Sequence, residues 1–477
     1  MGKPVVIFRA DGSFQTGVGH LVRSSALAEM LSADFDCWLL YRECPKPLLP
    51  DLEKSFSAVE PLRGSEAISE EPSILIDRLG NGQATIVLDG YQFDTAYQNG
   101  LLAAGYRVVC IDDIHRYAFT AELVINHAPS AGLAGYDLSA TTAFAFGPRF
   151  ALLRKPFRDL ATTGNENKST AGVFVCLGGA DPGNATLQIL RRLEELRVES
   201  PISVVIGPAY RYAEQLEAFA EHSRLRLTIF RNLGPEDMAR LMAACPVGIT
   251  SPSTVSMEYL SSGGTLYLRL IAENQRDIYR SLIHNGQALE FDQFDAELKV
   301  SPEDSGVPVI DGRQSDRYRA LFRNLGMSYR TAETADSDLY FKWANDPQVR
   351  AQSFSSGRIS LTEHQQWFKG KLSDPATVQL LFQNADEPVG QVRVTLQASA
   401  AVIGYSVASG GRGKGAGLAM LLHTENYLQR YHPEIRMLRG YVKRSNPASI
   451  LTFRRLGYQE MTTTDYPDAV KFEFDEL

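Results

Sequence analysis

The sequence predicts an α/β protein in which two lobes built on parallel sheets are followed by a smaller α+β domain. Three observations predict it. Over roughly the first 310 residues, short apolar, β-prone runs alternate with helical stretches, the pattern of parallel sheets covered by helices on both faces. A polar stretch, Phe157-Arg-Asp-Leu-Ala-Thr-Thr-Gly-Asn-Glu-Asn-Lys168, interrupts that alternation and reads as a linker between two units. Near Gly326 the pattern resets, and a strand, a glycine-rich loop and a helix follow within residues 402–428.

Strand candidates in the first part are residues 5–8, 85–88, 108–111, 123–125, 173–177, 203–206, 227–230, 247–250 and 266–270. Helical spacing at 21–31, 185–197 and 235–244 falls between them, and a charged helical segment, 311–324, precedes the reset. The expected divisions are a first lobe over 1–160, a second over 161–312, a linker over 313–326 and a last domain over 327–477.

Bulk properties narrow the function. The apolar fraction of 44% suits buried cores, and a net charge of −8 removes any broad electrostatic case for nucleic acid. Five cysteines, Cys37, Cys44, Cys110, Cys176 and Cys245, show no zinc-like spacing and read as small buried residues in a reducing compartment. The N-terminal run turns polar too soon for a secretion signal, and no apolar run reaches membrane-spanning length. A cytoplasmic enzyme with no membrane contact is expected.

The first lobe carries Phe8-Arg-Ala-Asp-Gly-Ser-Phe-Gln-Thr-Gly-Val-Gly-His-Leu-Val-Arg23, in which a strand ends at Arg9, a glycine loop follows and a helix begins around His20. Gly17-x-Gly19 lacks the third glycine of a dinucleotide fingerprint, since position 22 is Val22, and no phosphate-loop pattern occurs, so NAD and ATP hydrolysis have little support. A histidine at a helix start is held neutral by the positive helix end and can take a proton from water. A simple hydrogen bonder at the helix start is the other reading of His20.

The second lobe opens with Val173-Phe-Val-Cys-Leu-Gly-Gly-Ala-Asp-Pro-Gly-Asn184, a buried strand running into Gly178-Gly179 and a helix, which suits phosphate. Later, Ser253 and Thr254 stand at a helix start with Glu258 just beyond, where a carboxylate can accept from both ribose hydroxyls. Helix capping by Ser253 accounts for that pattern equally well. Asn274-Gln275 follows a strand on its C-terminal side, where α/β ligands bind.

Two lobes with glycine loops and a late Ser-Thr…Glu element resemble nucleotide-sugar enzymes of the GT-B fold, with two Rossmann-like lobes. Arg9-Ala-Asp11, Gly17-x-Gly19-His20-x-x-Arg23, Leu88-Asp-Gly-Tyr91, Ile111-Asp-Asp113, Leu152-Leu-Arg154, Gly178-Gly-Ala-Asp-Pro182 and Glu273-Asn-Gln275 occur in one order. The series is similar to the UDP-2,4-diacetamido-2,4,6-trideoxy-β-L-altropyranose hydrolases of pseudaminic acid biosynthesis, over residues 1 to about 312. The resemblance implies His20 as general base, with Tyr91 and Asn274 in the active site. Ser24-Ser25 departs from the cysteine common in that family and is expected beside the site. With no acidic cluster to demand a metal, hydrolysis is expected to be metal-independent.

In the last domain, Gly411-Arg-Gly-Lys-Gly-Ala-Gly417 sits between a strand pattern and a helix pattern. Its glycines let bare backbone approach a ligand, the helix start offers free amides, and Arg412 and Lys414 add positive charge, a set of features suited to a diphosphate. A glycine-rich turn is the plainer reading. The loop resembles the pyrophosphate loop of the GNAT acetyltransferases. Tyr329-Arg-Thr-Ala-Glu-Thr-Ala-Asp336, Trp343-Ala-Asn-Asp-Pro-Gln-Val-Arg350, the segment 359–368 and Asn446-Pro-Ala-Ser-Ile-Leu-Thr-Phe-Arg-Arg-Leu-Gly-Tyr458 extend the similarity over 327–477 to the branch that acetylates aminosugar nucleotides. It implies acetyl-CoA as co-substrate, held by Ser406, Val407, Ala408, Arg412, Gly413, Lys414, Gly415, Ala416, Gly417, Asn446 and Ser449. It also implies His364 and Tyr405 near the sugar nucleotide, while Trp367 and Phe368 read equally as core. Phe453 occupies the usual tyrosine acid position and cannot donate a proton; Tyr458, Tyr441 or solvent would have to serve.

Together the resemblances imply one chain that acetylates the 4-amino group of a UDP-aminosugar and then releases UDP from the product. The remaining substrate contacts fall on Arg9, Asp11, Gly17, Gly19, Arg23, Gly178, Gly179, Ser253, Thr254, Glu258 and Gln275. Transient contact with other enzymes of the route is compatible with this reading. The alternatives are a GT-B glycosyltransferase fused to an acetyltransferase, and a non-catalytic nucleotide-sugar module targeting an acetyltransferase to protein.

Overall fold

The computed structural model describes residues 2–13, 17–63, 67–80, 82, 84–163, 172–179, 181–295 and 310–475, all with side chains except Asn274. The first sheet has seven strands in the order Ala58–Pro61, Asp36–Tyr41, Val5–Ala10, Thr85–Asp89, Arg107–Ile111, Leu123–Asn126, Ala143–Phe146, all parallel. The apolar runs predicted as strands sit at its centre, where both faces are covered. The sequence reading missed the strands starting at Asp36 and Ala58, which are half-buried or mixed, and the short, buried strand starting at Ala143.

The chain leaves Val5–Ala10 for Asp36–Tyr41 on one side and returns to Thr85–Asp89 on the other, so the strand order reverses between these two central strands. At such a switch point the loops leaving the strand C-termini diverge and open a crevice. The second sheet repeats the arrangement with six parallel strands, Leu227–Arg231, Ile202–Ile206, Val173–Cys176, Val247–Thr250, Thr265–Leu268 and Leu289–Glu290. Its switch point lies between Val173–Cys176 and Val247–Thr250.

The stretch read as a polar linker begins instead as a helix, Lys155–Thr163. Phe157 is fully buried there in the core of the second lobe, beside Leu153 and Leu282. One apolar residue per turn is enough to dock a short helix whose other faces are polar; residues 164–168 lie outside the described residues.

The third sheet is mostly antiparallel, in the order Met327–Thr331, Thr377–Asn384, Glu387–Gln397, Ala400–Val407, Met437–Lys443, Ala469–Phe474, Gln459–Met461. Its parallel pair, Ala400–Val407 with Met437–Lys443, is in register only from Ala400 to Ile403. Beyond Ile403 the two strands part while Ala400–Val407 stays paired to Glu387–Gln397.

The segment between the lobes and this domain forms a helix, Gln314–Arg323. Its Tyr318, Leu321 and Phe322 join one continuous apolar core with Leu27 and Phe35 of the first lobe and with Met420 and Phe453 of the last domain. Polar contacts seal the same junction. Asn426 accepts from Phe144 N at 2.8 Å and donates to Phe144 O at 2.9 Å, so a side-chain amide pairs with the edge strand of the first sheet. Arg149 reaches Glu425 at 3.0 Å, and Arg430 donates to the carbonyls of Ala140 and Thr142 at 2.6 Å.

Candidate active sites

The first crevice collects its residues from three strand ends. His20 stands in the first turn of helix Gly19–Leu31, Asp89 ends the strand Thr85–Asp89, and Asp113 follows Arg107–Ile111. His20 Nδ1 lies 2.7 Å from Asp89 Oδ1. Arg23, one turn along the helix, donates Nη2 to Asp89 Oδ1 at 2.7 Å and Nη1 to Asp113 Oδ2 at 2.8 Å. Ser24 Oγ donates to Asp89 Oδ2 at 3.0 Å. Asp89 is fully buried, a state its charge tolerates only with such partners. Burial raises its pKa, but Arg23 and His20 outweigh that and hold it below the ordinary carboxylate range. His20 Nδ1 also lies 2.9 Å from Arg23 Nη2, a group that only donates. With a proton on Nδ1, given to the anionic Asp89, the other ring nitrogen, Nε2, is the proton acceptor.

The Tyr91 ring meets His20 edge-on at 4.9 Å. Its hydroxyl pKa is pushed up to about 12, first by desolvation and then by Asp113, so it stays protonated and can donate. His127 is held neutral beside this cluster, its pKa pulled down to about 4 by burial and then by Arg23, and its Nδ1 accepts from Leu152 N at 3.0 Å. Asp89, Asp113, Ser24 and His127 were not assigned roles from sequence. The signal was present for the two aspartates, which end apolar strands, but their convergence depends on strand order.

The other expected residues of this lobe divide. Arg9 is fully buried; it pairs with Glu71 and, at 2.7 Å, with Asp11. Asp11 also accepts from Arg42 N at 2.6 Å and Glu43 N at 3.1 Å. Both residues tie the strand ends together beneath the crevice, and Arg9 has no surface with which to touch a substrate. Gly17 has φ +99° and exchanges backbone hydrogen bonds with Ser13. Gly19 begins the helix with open space where a Cβ would stand. Ser24 supports the reactive cluster directly, rather than lying beside it.

In the second lobe, Gly178 has φ +90°, and the Gly179 carbonyl accepts from Ala209 N at 3.1 Å. The first two amides of the helix Ala185–Glu195 that follows are already taken. Asp181 accepts from Ala185 N and Thr186 N, both at 2.8 Å, so the expected anion site at that helix start is already filled from within the chain. Helix Thr254–Leu260 differs: its N-cap, Ser253, makes no capping side-chain bond, and Thr254 is exposed. Glu258 is buried and paired to Arg154 at 2.6 Å, across the junction of the lobes, with its pKa raised by burial. Asn274 lies in the turn Glu273–Gln275, its side chain outside the described residues; Gln275 Oε1 accepts from Ile271 N at 3.3 Å.

The last domain holds a groove of about 1360 Å³. It follows the divergence of Ala400–Val407 from Met437–Lys443, which leaves the edge of residues 404–407 facing the opening without strand partners. Ser406, Val407, Arg412, Gly413, Gly415, Ala416, Gly417, Asn446 and Ser449 line it. Gly413 and Gly415 have φ +75° and +81°, conformations that suit glycine, and no side chain caps helix Ala416–Tyr431 behind them. Two expectations change. The Ala408 amide is already bonded to Val389 O at 2.9 Å. Arg412 is turned onto Asp346 at 3.0 Å, Gln348 at 2.6 Å and Val407 O at 3.0 Å, leaving exposed Lys414 as the loop's cation without a carboxylate partner among the described residues.

On the other side of the groove, Tyr405 donates to Ser449 Oγ at 3.0 Å, and Asn446 holds Ser449 at 3.2 Å. His364 is buried, with Nε2 2.9 Å from Ser337 O and its pKa lowered by burial. Phe453 is buried and stacks on Phe472. Tyr458 is no substitute acid: its hydroxyl donates to Glu425 at 3.0 Å inside the protein. Tyr441 lines the groove, hydrogen-bonded to Asp465 at 2.8 Å. Arg393 lines it too, stacked over Trp367 at 5.5 Å and without a carboxylate partner among the described residues. Phe354 and Tyr466 stack at its mouth, 4.2 Å apart.

Among the described residues no cluster of three or more His, Cys, Asp or Glu could hold a metal ion, and no helix is long and apolar enough to cross a membrane.

Comparison with known proteins fits this division. Residues 327–459 match the acetyltransferase (GNAT) domain family. A UDP-2,4-diacetamido-2,4,6-trideoxy-β-L-altropyranose hydrolase of Campylobacter jejuni is 27% identical over 295 residues, covering 60% of this chain and 98% of that protein. An uncharacterised protein of Methanocaldococcus jannaschii is 23% identical over 409 residues, 81% of this chain and 82% of its own length. Among solved structures, aminoglycoside acetyltransferase AAC(6′)-Ib with ribostamycin and coenzyme A aligns at 17% identity over 31% of this chain and 93% of that one, with a TM-score of 0.29. Spermidine N-acetyltransferase from Vibrio cholerae aligns at 15% over 32% and 96%, also with a TM-score of 0.29. The chain thus joins an N-terminal part similar to UDP-diacetamido-sugar hydrolases to a C-terminal acetyltransferase domain of the GNAT family.

Proposed function

We propose that the protein is bifunctional, acetylating the 4-amino group of a UDP-linked 4-amino-4,6-dideoxy-N-acetyl-β-L-altrosamine and then hydrolysing the diacetamido product to UDP and free sugar. On this reading the two N-terminal lobes work as a GT-B-like pair. The observation that carries it is the His20–Asp89 pair at the mouth of the first switch point, 2.7 Å apart, with Tyr91 against the ring. Asp89 keeps the Nδ1 proton, and His20 Nε2 takes one from water. The water oxygen bonds to the anomeric carbon as the bond from that carbon to the UDP oxygen breaks, and the electron pair leaves with UDP. A leaving diphosphate needs donors, and the hydroxyls of Ser253 and Thr254 in the second lobe, with Arg154 across the lobe junction, are the groups offered.

The groove of the last domain fits acetyl-CoA: an unpaired strand edge for pantetheine, and a glycine loop with free helix amides for diphosphate. Acetyl-CoA supplies the activated thioester. Tyr405 with Ser449, and Tyr441, are the hydroxyls placed to handle protons around the reacting amine. Arg393 supports an acceptor that carries phosphate, because an arginine in a groove without a carboxylate is an anion receptor. The Phe354–Tyr466 stack beside it offers an aromatic face.

Mass spectrometry of the products from the UDP-4-aminosugar and acetyl-CoA tests this proposal. One acetyl group should be added first, and UDP and free diacetamido-sugar should then appear in water alone. UDP release that depends on an added sugar acceptor would sink the hydrolase and favour a glycosyltransferase.

A further inference from the structure

The acetyltransferase groove is not closed by its own domain alone. Helix Gln314–Arg323, which precedes the residues matched to the GNAT family, contributes Asp316, Arg319, Ala320 and Arg323 to the lining. Their spacing places them on one helical face. That face lies directly against the glycine loop: a Cβ built on Gly415 would stand 3.4 Å from Ala320 Cα, and Asn324 Nδ2 reaches Lys414 O at 3.4 Å. The cations here outnumber the anions. Arg319 and Arg323 share a single carboxylate, Asp34 of the first lobe, at 2.6 Å from Arg319. Arg455, which also lines the groove, pairs with Asp316 at 3.2 Å. Both arginines facing Asp34 are about one-third exposed, and one carboxylate cannot engage all the donors of two guanidiniums.

We propose that Arg319 and Arg323 bind the ribose 3′-phosphate of coenzyme A, so that the interdomain helix completes the co-substrate site. This rests on the acetyl-CoA reading above. The free amides of helix Ala416–Tyr431 suit the diphosphate. The one other phosphate of the co-substrate is a monoester dianion, which two guanidiniums recognise through paired hydrogen bonds. Asp34 holds both side chains at the groove and gives up part of its pairing when the phosphate arrives. Of the two cations expected from sequence to serve this loop, Arg412 is occupied by Asp346 and Gln348, while Lys414 stays exposed beside the glycines.

Calorimetric titration of the full chain with coenzyme A and with 3′-dephospho-coenzyme A separates the possibilities. The wild type should bind coenzyme A about tenfold tighter, the worth of one net charge-assisted contact. Arg319→Gln combined with Arg323→Gln should erase that preference while leaving 3′-dephospho-coenzyme A affinity in place. Asp34→Asn should widen the preference by removing the competing carboxylate. Equal weakening of both ligands in the double variant, or a preference that survives it, overturns the proposal. Failure of the wild type to bind either ligand would instead remove the acetyl-CoA reading, and this inference with it.

Discussion

Asp89 Oδ1 lies 2.7 Å from His20 Nδ1, and the same buried carboxylate also accepts from Arg23 and Ser24. The aspartate therefore orients the imidazole and favours the tautomer with its proton on Nδ1, against the pull of Arg23 Nη2, which lies 2.9 Å from the same nitrogen. In Asp89→Asn an amide would face Nδ1, and the ring would carry its proton on Nε2, where it is useless to a base. UDP release should fall by about 10²–10⁴-fold, as for loss of the base itself in His20→Asn. Acetyl transfer should persist, measured by thiol release from acetyl-CoA. Hydrolysis at wild-type rate in Asp89→Asn would remove His20 from the role of base.

The reverse separation needs a position that touches only the acetyltransferase. Gly415 is unsuitable, since its Cβ direction leads into Ala320 of the interdomain helix. A Cβ on Gly417 would instead meet Tyr405 at 3.0 Å and Val407 at 3.3 Å, both on the groove wall. Overpacking of that kind costs about 1–3 kcal/mol. Gly417→Val should lower acetyl transfer at least about tenfold while UDP release from the diacetamido-sugar nucleotide stays unchanged.

Arg393 should discriminate acceptors by charge. Arg393→Gln is expected to raise KM for the UDP-aminosugar by about tenfold, the worth of a charge-assisted hydrogen bond, with little change in kcat. The corresponding aminosugar without its nucleotide should be unaffected. Equal losses on both acceptors would show that Arg393 serves packing against Trp367.

Acid should weaken the last domain before it reaches the carboxylates. His423 is buried in helix Ala416–Tyr431, and burial pulls its pKa from 6.5 down to about 4. Below pH 6.5 the unfolded chain takes up a proton that the folded chain refuses until about pH 4, so this contribution is complete above 6.5 and is lost on descent between the two values. The loss integrates to about 3 kcal/mol. His127 adds a slope of the same sign. His423→Leu should flatten part of the pH dependence of the urea midpoint across that window. An unchanged profile would mean the ring is protonated in the fold.

Asn426 should matter to stability despite its distance from either site. Asn426→Ala leaves the buried N–H and C=O of Phe144 without partners, a cost of about 1–3 kcal/mol. Thermal unfolding should begin earlier, with both activities intact at low temperature.

What could be read from the sequence follows from how local each signal is. Strands such as Val173–Cys176 and Val247–Thr250 are fully buried and largely apolar and announce themselves, whereas Ala58–Pro61 at a sheet edge is polar enough to pass as loop. The glycine loop of the last domain was legible because strand, loop and helix are contiguous. Arg9 looked like a cleft residue because its partner Glu71 stands 62 positions away. Asp89 sat in a quoted motif without a role for the same reason: His20 is 69 positions distant and meets it only once the strand order reverses. Ion pairs between distant segments leave no period or motif behind, so Arg319 and Asp34, 285 positions apart, were invisible.

The pattern reset near Gly326 marks where one ancestry ends, but it does not mark where a folding unit ends. Tyr318 and Phe322 are wedged between Leu27 and Phe35 on one side and Met420 and Phe453 on the other, within a single uninterrupted apolar mass. Severing the chain at Met327 would strip the plug from the acetyltransferase and leave greasy scars on both fragments. The evolutionary seam and the mechanical seam therefore fall in different places.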